Sequence, residues 1–433
     1  MIFFFRFLII TLFLILIYIV YKSEIYSLGS YRYYYLIYFI GTLLAIVFFI
    51  ICTYLKAKIQ KYIIIILSSA IFTLYSFEGK LIFDQKKKDV ENVKTKINNF
   101  NFDRRSRFEV YEDLKKTNLN ITMSIHPGNL LELNELDFLS LAGISNTKTI
   151  YCNESGYYSI YQSDRYGFNN PDTEWDSKEI EYLLVGDSFT QGACVNRPDD
   201  IASVIRRYSK KNVLNLGQGG NGPLLEYATL KEYLTPNIKN VLWLYFENDL
   251  DNLIAELRNK ILIKYLTDQN YRQDLKFKQT QIDQFLNTFL EREEERYRQV
   301  YSYSDNIIRF IKLSNVRGLL ITPIPPISEL PIPPISELKV ILKLANELVM
   351  SHNGKLYFIY LPSFERYEKL IKIDYKKQIK KIVIDLNIEF IDIDEDVFQR
   401  EKNPLKLFPF EQSNHYNVEG YKKVALKIYE RTK

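Results

Sequence analysis

Three apolar runs crowd the first 83 residues, and a run of that kind placed in lipid has one backbone solution. Hydrocarbon offers no partner for a free N–H or C=O, so each run must close its own hydrogen bonds as a helix. The helices are expected over about 2–21, 33–55 and 60–77. Residues Ile2 to Tyr21 are interrupted only by Arg6. With Tyr33 to Leu55 they match the roughly 20 residues needed to cross a bilayer. The third run has an uncharged core of 16 residues, Tyr62 to Phe77. It either crosses, with Lys61 and Glu78 snorkelling, or is a buried or interfacial helix. Tyr18 to Ser27 lacks a small-residue cleavage site, so the first run is read as a retained span rather than a signal peptide.

Charge separates this region from the rest. The 433 residues carry 57 Lys+Arg against 52 Asp+Glu, a net +5. Residues 1–83 hold seven of the basic residues and only Glu24 and Glu78 among the acidic ones. The remaining 350 residues are therefore neutral, which argues against a basic nucleic-acid-binding surface. Lysines 56, 58 and 61 favour one orientation of the spans, and Lys80 with Lys86 to Lys88 the other, so charge leaves the topology open. Three cysteines make no disulfide scaffold, and without a C-x-x-C pair they do not suggest zinc. Cys152 and Cys194 are expected to be free thiols.

Beyond the spans, residues 84–145 read as a charged linker. Residues 146–433 alternate short apolar runs with helical patterns, the rhythm of a parallel sheet built from βαβ units. Strands are expected at Glu181–Val185, Asn212–Leu216, Val241–Phe246, Gly318–Thr322, Lys355–Leu361 and Glu389–Ile393. Most lack polar alternation, as strands covered on both faces do. Residues 255–305 read as a helical insertion, either a solvated helix or a lid. Pro323–Leu330 repeats identically as Pro331–Leu338. A duplicated loop explains this repeat; a polyproline ligand would need only one copy.

Four loops at strand ends carry chemically useful residues. The first expected strand runs into Gly186-Asp-Ser188 and a helix, which puts Ser188 at the carboxyl edge of the sheet, where ligands bind in open α/β folds. A serine there is a nucleophile if a base takes its proton; otherwise it caps a helix. The second strand runs into Asn215-Leu-Gly-Gln-Gly-Gly-Asn-Gly222, where glycines let backbone approach a ligand. The third ends at Asn248, whose amide can donate to an oxyanion or form a turn. His415 lies before the last helix, in the one strand-to-helix loop that holds a histidine.

Ser, Gly, Asn and His in this order resemble the SGNH (GDSL-like) hydrolase family over about residues 180–433. The resemblance implies a flavodoxin-like three-layer α/β/α sandwich with a parallel sheet. It implies that Ser188 attacks an ester or acyl donor with His415 as general base. The Ser188 N–H, the Gly220 N–H and the Asn248 side chain would form the oxyanion hole, and Asp187 would be structural. Asp164-Arg-Tyr-Gly-Phe-Asn-Asn-Pro171 looks like the lead-in found before the nucleophile strand in membrane-linked relatives, several of which modify cell-surface polysaccharides or lipids.

Two positions depart from the family. Phe246 stands where a glycine is usual, and Gln412 stands where the acid is usual, three residues before the histidine. Gln412 can orient an imidazole but cannot stabilise its positive charge as a carboxylate does. Glu411, Asp392 and Asp394 are the candidate acids, and a Ser–His dyad is the remaining option. The expectation is thus a membrane-anchored serine esterase or acyltransferase acting on an ester or O-acyl group of a cell-envelope glycan or lipid. The alternative is a catalytically degenerate domain that binds such a molecule. No metal or redox cofactor is implied, nor any nucleic-acid partner. Composition rich in Ile, Lys, Tyr and Asn, with little Ala and Gly, suggests an AT-rich bacterial genome; the apolar spans then suggest the bacterial inner membrane, and a surface-modifying role would put the catalytic domain on the extracytoplasmic side.

Overall fold

A computed structural model describes residues 1–26, 32–96, 102–133, 137–300, 303–320, 333–368 and 374–433. The chain divides into two units, one formed by residues 1–95 with 300–330 and the other by 96–299 with 331–433. The first unit holds α1 (Ile2–Val20), α2 (Arg32–Thr53) and α3 (Ala57–Lys96). Among the described residues, three segments are long and apolar enough to cross a membrane: Ile2–Ile25, Tyr35–Thr53 and Ala57–Asp84. The third is longer than its uncharged core suggested, because the helix runs on through Glu78. That carboxylate is not a snorkelling end. It accepts from the Asn315 and Val316 backbone N–H groups at 3.0 and 2.8 Å.

The second unit begins inside the segment read as a linker. There α4 (Arg107–Lys115) is opened by a Ser106–Glu109 capping box, which satisfies two of the helix's free N–H groups. After it, β1 (Ile121–Met123) pairs parallel with β2 (Lys148–Ile150), and β2 pairs antiparallel with β3 (Ile160–Gln162). The irregular sequence hid these three-residue strands because none is long enough to show a period.

The main sheet follows. Strand β4 (Ile180–Gly186) leads to α5 (Ser188–Gln191) and α6 (Ile201–Ser209), and β5 (Val213–Asn215) to α7 (Pro223–Tyr233). Strand β6 (Ile238–Phe246) leads to the insertion, which is helical as read: α8 (Asp249–Glu256), α9 (Lys260–Thr267) and α10 (Gln279–Val300). The chain then enters the first unit as α11 (Tyr303–Ile311) and α12 (Ser314–Leu320). The strand expected at Gly318–Thr322 is therefore not formed over 318–320, where Glu78 caps a helix; residues 321–322 lie outside the described residues. So do 323–332, which include the first proline repeat. The second repeat ends as the first turn of α13 (Ile335–Ser351). Strand β7 (Lys355–Leu361), α14 (Phe364–Tyr367), α15 (Lys376–Asp385), β8 (Glu389–Asp392), α16 (Ile393–Asp396) and α17 (Val418–Thr432) complete the unit.

The five strands stand in the order β5-β4-β6-β7-β8, and every neighbouring pair is parallel. Counted along the chain this is 2-1-3-4-5, the flavodoxin-like order. Alternate residues feed two separate cores. Leu183, Val185, Val241, Trp243 and Phe358 pack with α7, α13 and α15, while Tyr182, Leu184, Leu242, Leu244 and Ile359 pack with α6 and α17. Both faces are thus covered, which makes three layers and explains why the strands lack polar alternation. The order reverses at β4, so the crevice at its carboxyl end is the natural ligand site.

Candidate active site

Ser188 is placed by a tight strand-to-helix turn. Gly186 ends β4 with no room for a side chain; a Cβ there would lie 2.1 Å from Thr190 Oγ1 and 2.6 Å from the Leu244 carbonyl. Asp187 caps the short α5, its Oδ1 accepting from the Phe189 N–H at 2.9 Å. Burial pushes Asp187 up to about 6, with the nearby His415 pulling it back. Ser188 is thereby raised into a cavity of about 550 Å³.

The lead-in segment braces this turn. Asn169 Nδ2 donates to the Gln191 carbonyl, and Asn170 exchanges hydrogen bonds with the Asn215 backbone at 2.8 and 2.9 Å. Asp164 is fully buried and accepts from two backbone N–H groups, Asn170 Nδ2 and Trp175 Nε1. Burial nonetheless pushes it up to about 6. The motif thus joins the ends of β4 and β5 without reaching the cavity itself.

The structure brings His415 to Ser188: its Nε2 lies 2.8 Å from Ser188 Oγ. The acid does not come from where the sequence pointed. His415 Nδ1 lies 2.8 Å from Oε1 of Glu154, and the other oxygen of that carboxylate accepts from the His415 backbone N–H at 2.8 Å. A carboxylate bound twice by one residue fixes both the ring and the chain that carries it. Glu411 is exposed, and Glu154 takes the place proposed for it. Asp392 and Asp394 are held instead by Lys376, at 3.0 and 2.7 Å. Glu154 lies in the 151–159 loop between β2 and β3, far from the histidine in sequence, so no local motif could expose it.

The proposed oxyanion donors are less closely gathered. Asn248 lines the same cavity as Ser188, His415 and Glu154, and as the first residue of its helix turn its side chain caps nothing. Gly220, with a positive φ of 73°, is not among the cavity's lining residues; its carbonyl faces Gly128. Its neighbour Gly219 lets the loop pass tightly against the segment after β1, since a Cβ would fall 2.5 Å from the His126 ring. Burial pushes His126 down to about 4, so it is neutral near pH 7. Phe246, at the family's glycine position, stacks on Phe189 at 4.1 Å, and Phe189 lies 4.7 Å from the His415 ring. The departure therefore adds an apolar wall beside the imidazole.

The cysteines also differ from expectation. Cys152 and Cys194 form a disulfide, with Cα atoms 4.9 Å apart, in a small core with Tyr151 and Tyr161. The 42-residue separation concealed this pairing, because proximity came from the β2–β3 hairpin folding back on the nucleophile turn. They were the one pair outside the apolar runs, and for a domain expected outside the cytoplasm that was the available signal.

No family model and no curated protein matches this chain. Among solved structures it is similar to a protein described as lipolytic, of the G-D-S-L family, from Desulfitobacterium hafniense. That match has 12% identity, covers 59% of this chain and 100% of the other, and has a TM-score of 0.32. The acetyl xylan esterase AlAXEase shows 14% identity over 58% of this chain and 99% of its own, with a TM-score of 0.35. The psychrotrophic esterase EstA from Pseudoalteromonas sp. shows 10% identity over 58% and 96%, with a TM-score of 0.27. The chain's own sheet order makes the second unit a flavodoxin-like α/β/α domain, with the Gly-Asp-Ser turn and the histidine loop meeting at the carboxyl edge of its sheet.

Proposed function

We propose that this chain is a membrane-anchored serine esterase or O-acyltransferase of SGNH type. One observation carries the reading: His415 bridges Ser188 and the Glu154 carboxylate with 2.8 Å contacts on both ring nitrogens. With Glu154 Oε1 accepting from Nδ1–H, Nε2 is left to accept from the serine hydroxyl. Ser188 Oγ attacks the acyl carbon as its proton passes to Nε2. The oxyanion is met by the Ser188 N–H and the Asn248 amide, both on the cavity wall. The leaving alkoxide takes the proton from Nε2, and water or an acceptor hydroxyl then repeats the steps in reverse on the acyl-enzyme.

The cavity supports a hydroxyl-rich acyl carrier. Tyr245, Phe246, Phe364 and Tyr375 supply aromatic faces, and Asp251 and Glu365 supply acceptors for hydroxyl groups. An O-acylated cell-envelope glycan presents hydroxyl groups to these acceptors, and a glycolipid presents the same chemistry. The three apolar helices support an anchor, and the disulfide supports an oxidising, extracytoplasmic side. The degenerate-domain alternative drew its motive from Gln412, and Glu154 removes that motive.

The test is fluorophosphonate labelling of the purified full-length protein. Labelling of wild type and none of Ser188→Ala is expected, with ester hydrolysis falling by about 10⁶ in kcat. Equal labelling of the two would refute the reading. Product analysis with and without a sugar acceptor separates transfer from hydrolysis.

A further inference from the structure

Glu154 is carried by a different scaffold from its partners. Ser188 and His415 stand on loops of the main parallel sheet, whereas Glu154 stands on the loop that joins β2 to β3 of the small sheet. Its carboxylate must nevertheless sit within hydrogen-bond distance of an imidazole on the other sheet's edge. One covalent link joins the two scaffolds at this point. Cys152 lies two residues before Glu154, and Cys194 six residues after Ser188. The link is anchored on both sides. Cys152 is paired across the hairpin with Ser159, whose N–H donates to its carbonyl at 2.9 Å. Next to Cys194, the Ala193 N–H donates to the Ser188 carbonyl at 3.0 Å, and the Ala193 carbonyl accepts from the Tyr421 hydroxyl at 3.2 Å. The Cys194 sulfur, a Glu154 carboxylate oxygen and a His415 ring nitrogen all lie within 4.8 Å of one another. The disulfide is thus immediately beside the acid–imidazole contact.

We propose that Cys152 and Cys194 are positioning residues whose disulfide holds Glu154 against His415, so that full activity requires the oxidised chain. A dithiol reductant attenuates it: the S–S bond takes two electrons and two protons to give two thiols, and the dithiol becomes a cyclic disulfide. The nucleophile turn and the main sheet keep their own hydrogen bonds, so reduction loosens the acid and leaves Ser188 and His415 in place. The inference rests on the esterase reading above.

The experiment uses the full-length protein in detergent with a short p-nitrophenyl ester. Wild type, wild type treated with dithiothreitol, and the Cys152→Ala/Cys194→Ala double variant are compared by kcat, KM and near-UV circular dichroism. Reduction and the double substitution are each expected to lower kcat by about 10²-fold, the cost of a displacement near 1 Å in a catalytic group, with little change in KM. Reoxidation should restore wild type, and the double variant should ignore the reductant.

Coupling supplies a readout that simple destabilisation does not move. Glu154→Gln should cost much less in the double variant than in wild type, because the acid is already displaced there. The inference is overturned by an unchanged kcat after bond removal. It is equally overturned by an equal Glu154→Gln penalty in both backgrounds, or by loss of the near-UV signal, which would make the bond a general staple. Oxidised wild type that neither hydrolyses the ester nor labels at Ser188 would instead refute the esterase reading, and this inference with it.

Discussion

Replacing Glu154 by glutamine tests the acid that the structure supplies. Glu154 and His415 are only 19% and 24% exposed, so their interaction is largely shielded from water. Opposite charges centred about 4 Å apart, at an effective dielectric of about 20, attract by about 4 kcal/mol. That stabilisation exists only once His415 has taken the serine proton, and losing it lowers kcat by about 10³. Glutamine does a second harm. Its amide can present N–H to Nδ1, which forces the proton onto Nε2 and turns it away from accepting the Ser188 hydrogen. The wrong tautomer brings the loss toward about 10⁴. The assay is hydrolysis of a short p-nitrophenyl ester by full-length protein, with KM expected to change little. Glu411→Gln serves as the comparison and should leave kcat within about twofold, since Glu411 is exposed. A Glu154→Gln enzyme retaining a tenth of its activity, or a Glu411→Gln enzyme losing as much, would refute the assignment.

Three further substitutions probe the scaffold. Glu226 is fully buried, neither of its oxygens makes a full hydrogen bond, and burial with the charges of Asp187 and Glu256 pushes it well above the usual 4.5. Its folded pKa is raised, so stability is full below about pH 4.5 and declines as pH rises. Glu226→Gln should therefore raise the melting temperature relative to wild type at pH 8 and leave it nearly unchanged at about pH 4; equal destabilisation at both pH values would contradict this. Gly217→Ala places a Cβ 2.5 Å from the Gln191 N–H nitrogen and should cost about 1–3 kcal/mol in denaturant titrations. A neutral result would mean that the glycine loop yields easily. Arg366 and Glu247 are paired with side chains 15% and 14% exposed. Arg366→Ala should cost about 1–3 kcal/mol by removing the cation paired with Glu247, which keeps its hydrogen bonds from Tyr360 and Ser363, and adding Glu247→Gln should recover part of the loss in Tm; no recovery would argue against the pairing.

Much of the fold was legible because burial leaves its mark on local sequence. Lys355–Leu361 was read to the residue, and the main-sheet runs around Ser188, Gly217 and Asn248 within a few positions. A strand covered on both faces has to be apolar throughout, whatever its neighbours are. The same logic failed for the strand expected at Gly318–Thr322, whose described part, 318–320, ends a helix capped by Glu78. A run of that length has no period, and its partner lies more than 200 residues away. The three short strands of the small sheet were invisible for the same reason, and with them the scaffold that carries Glu154.

The division at the active site is sharp. Ser188, Asn248 and His415 could be picked out from the chain alone, because each lies at the end of a recognisable element and the parallel sheet brings those ends to one edge. The apolar runs were equally self-evident, since a helix in lipid must satisfy its backbone within a single continuous segment. The acid and the disulfide were of another kind. Glu154 is 261 residues from His415, and Cys152 is 42 from Cys194. Neither pairing follows from any repeat, spacing or local propensity. Both depend on where a second, smaller sheet comes to rest against the first, which is decided by packing between distant surfaces and so appears only once the chain has folded.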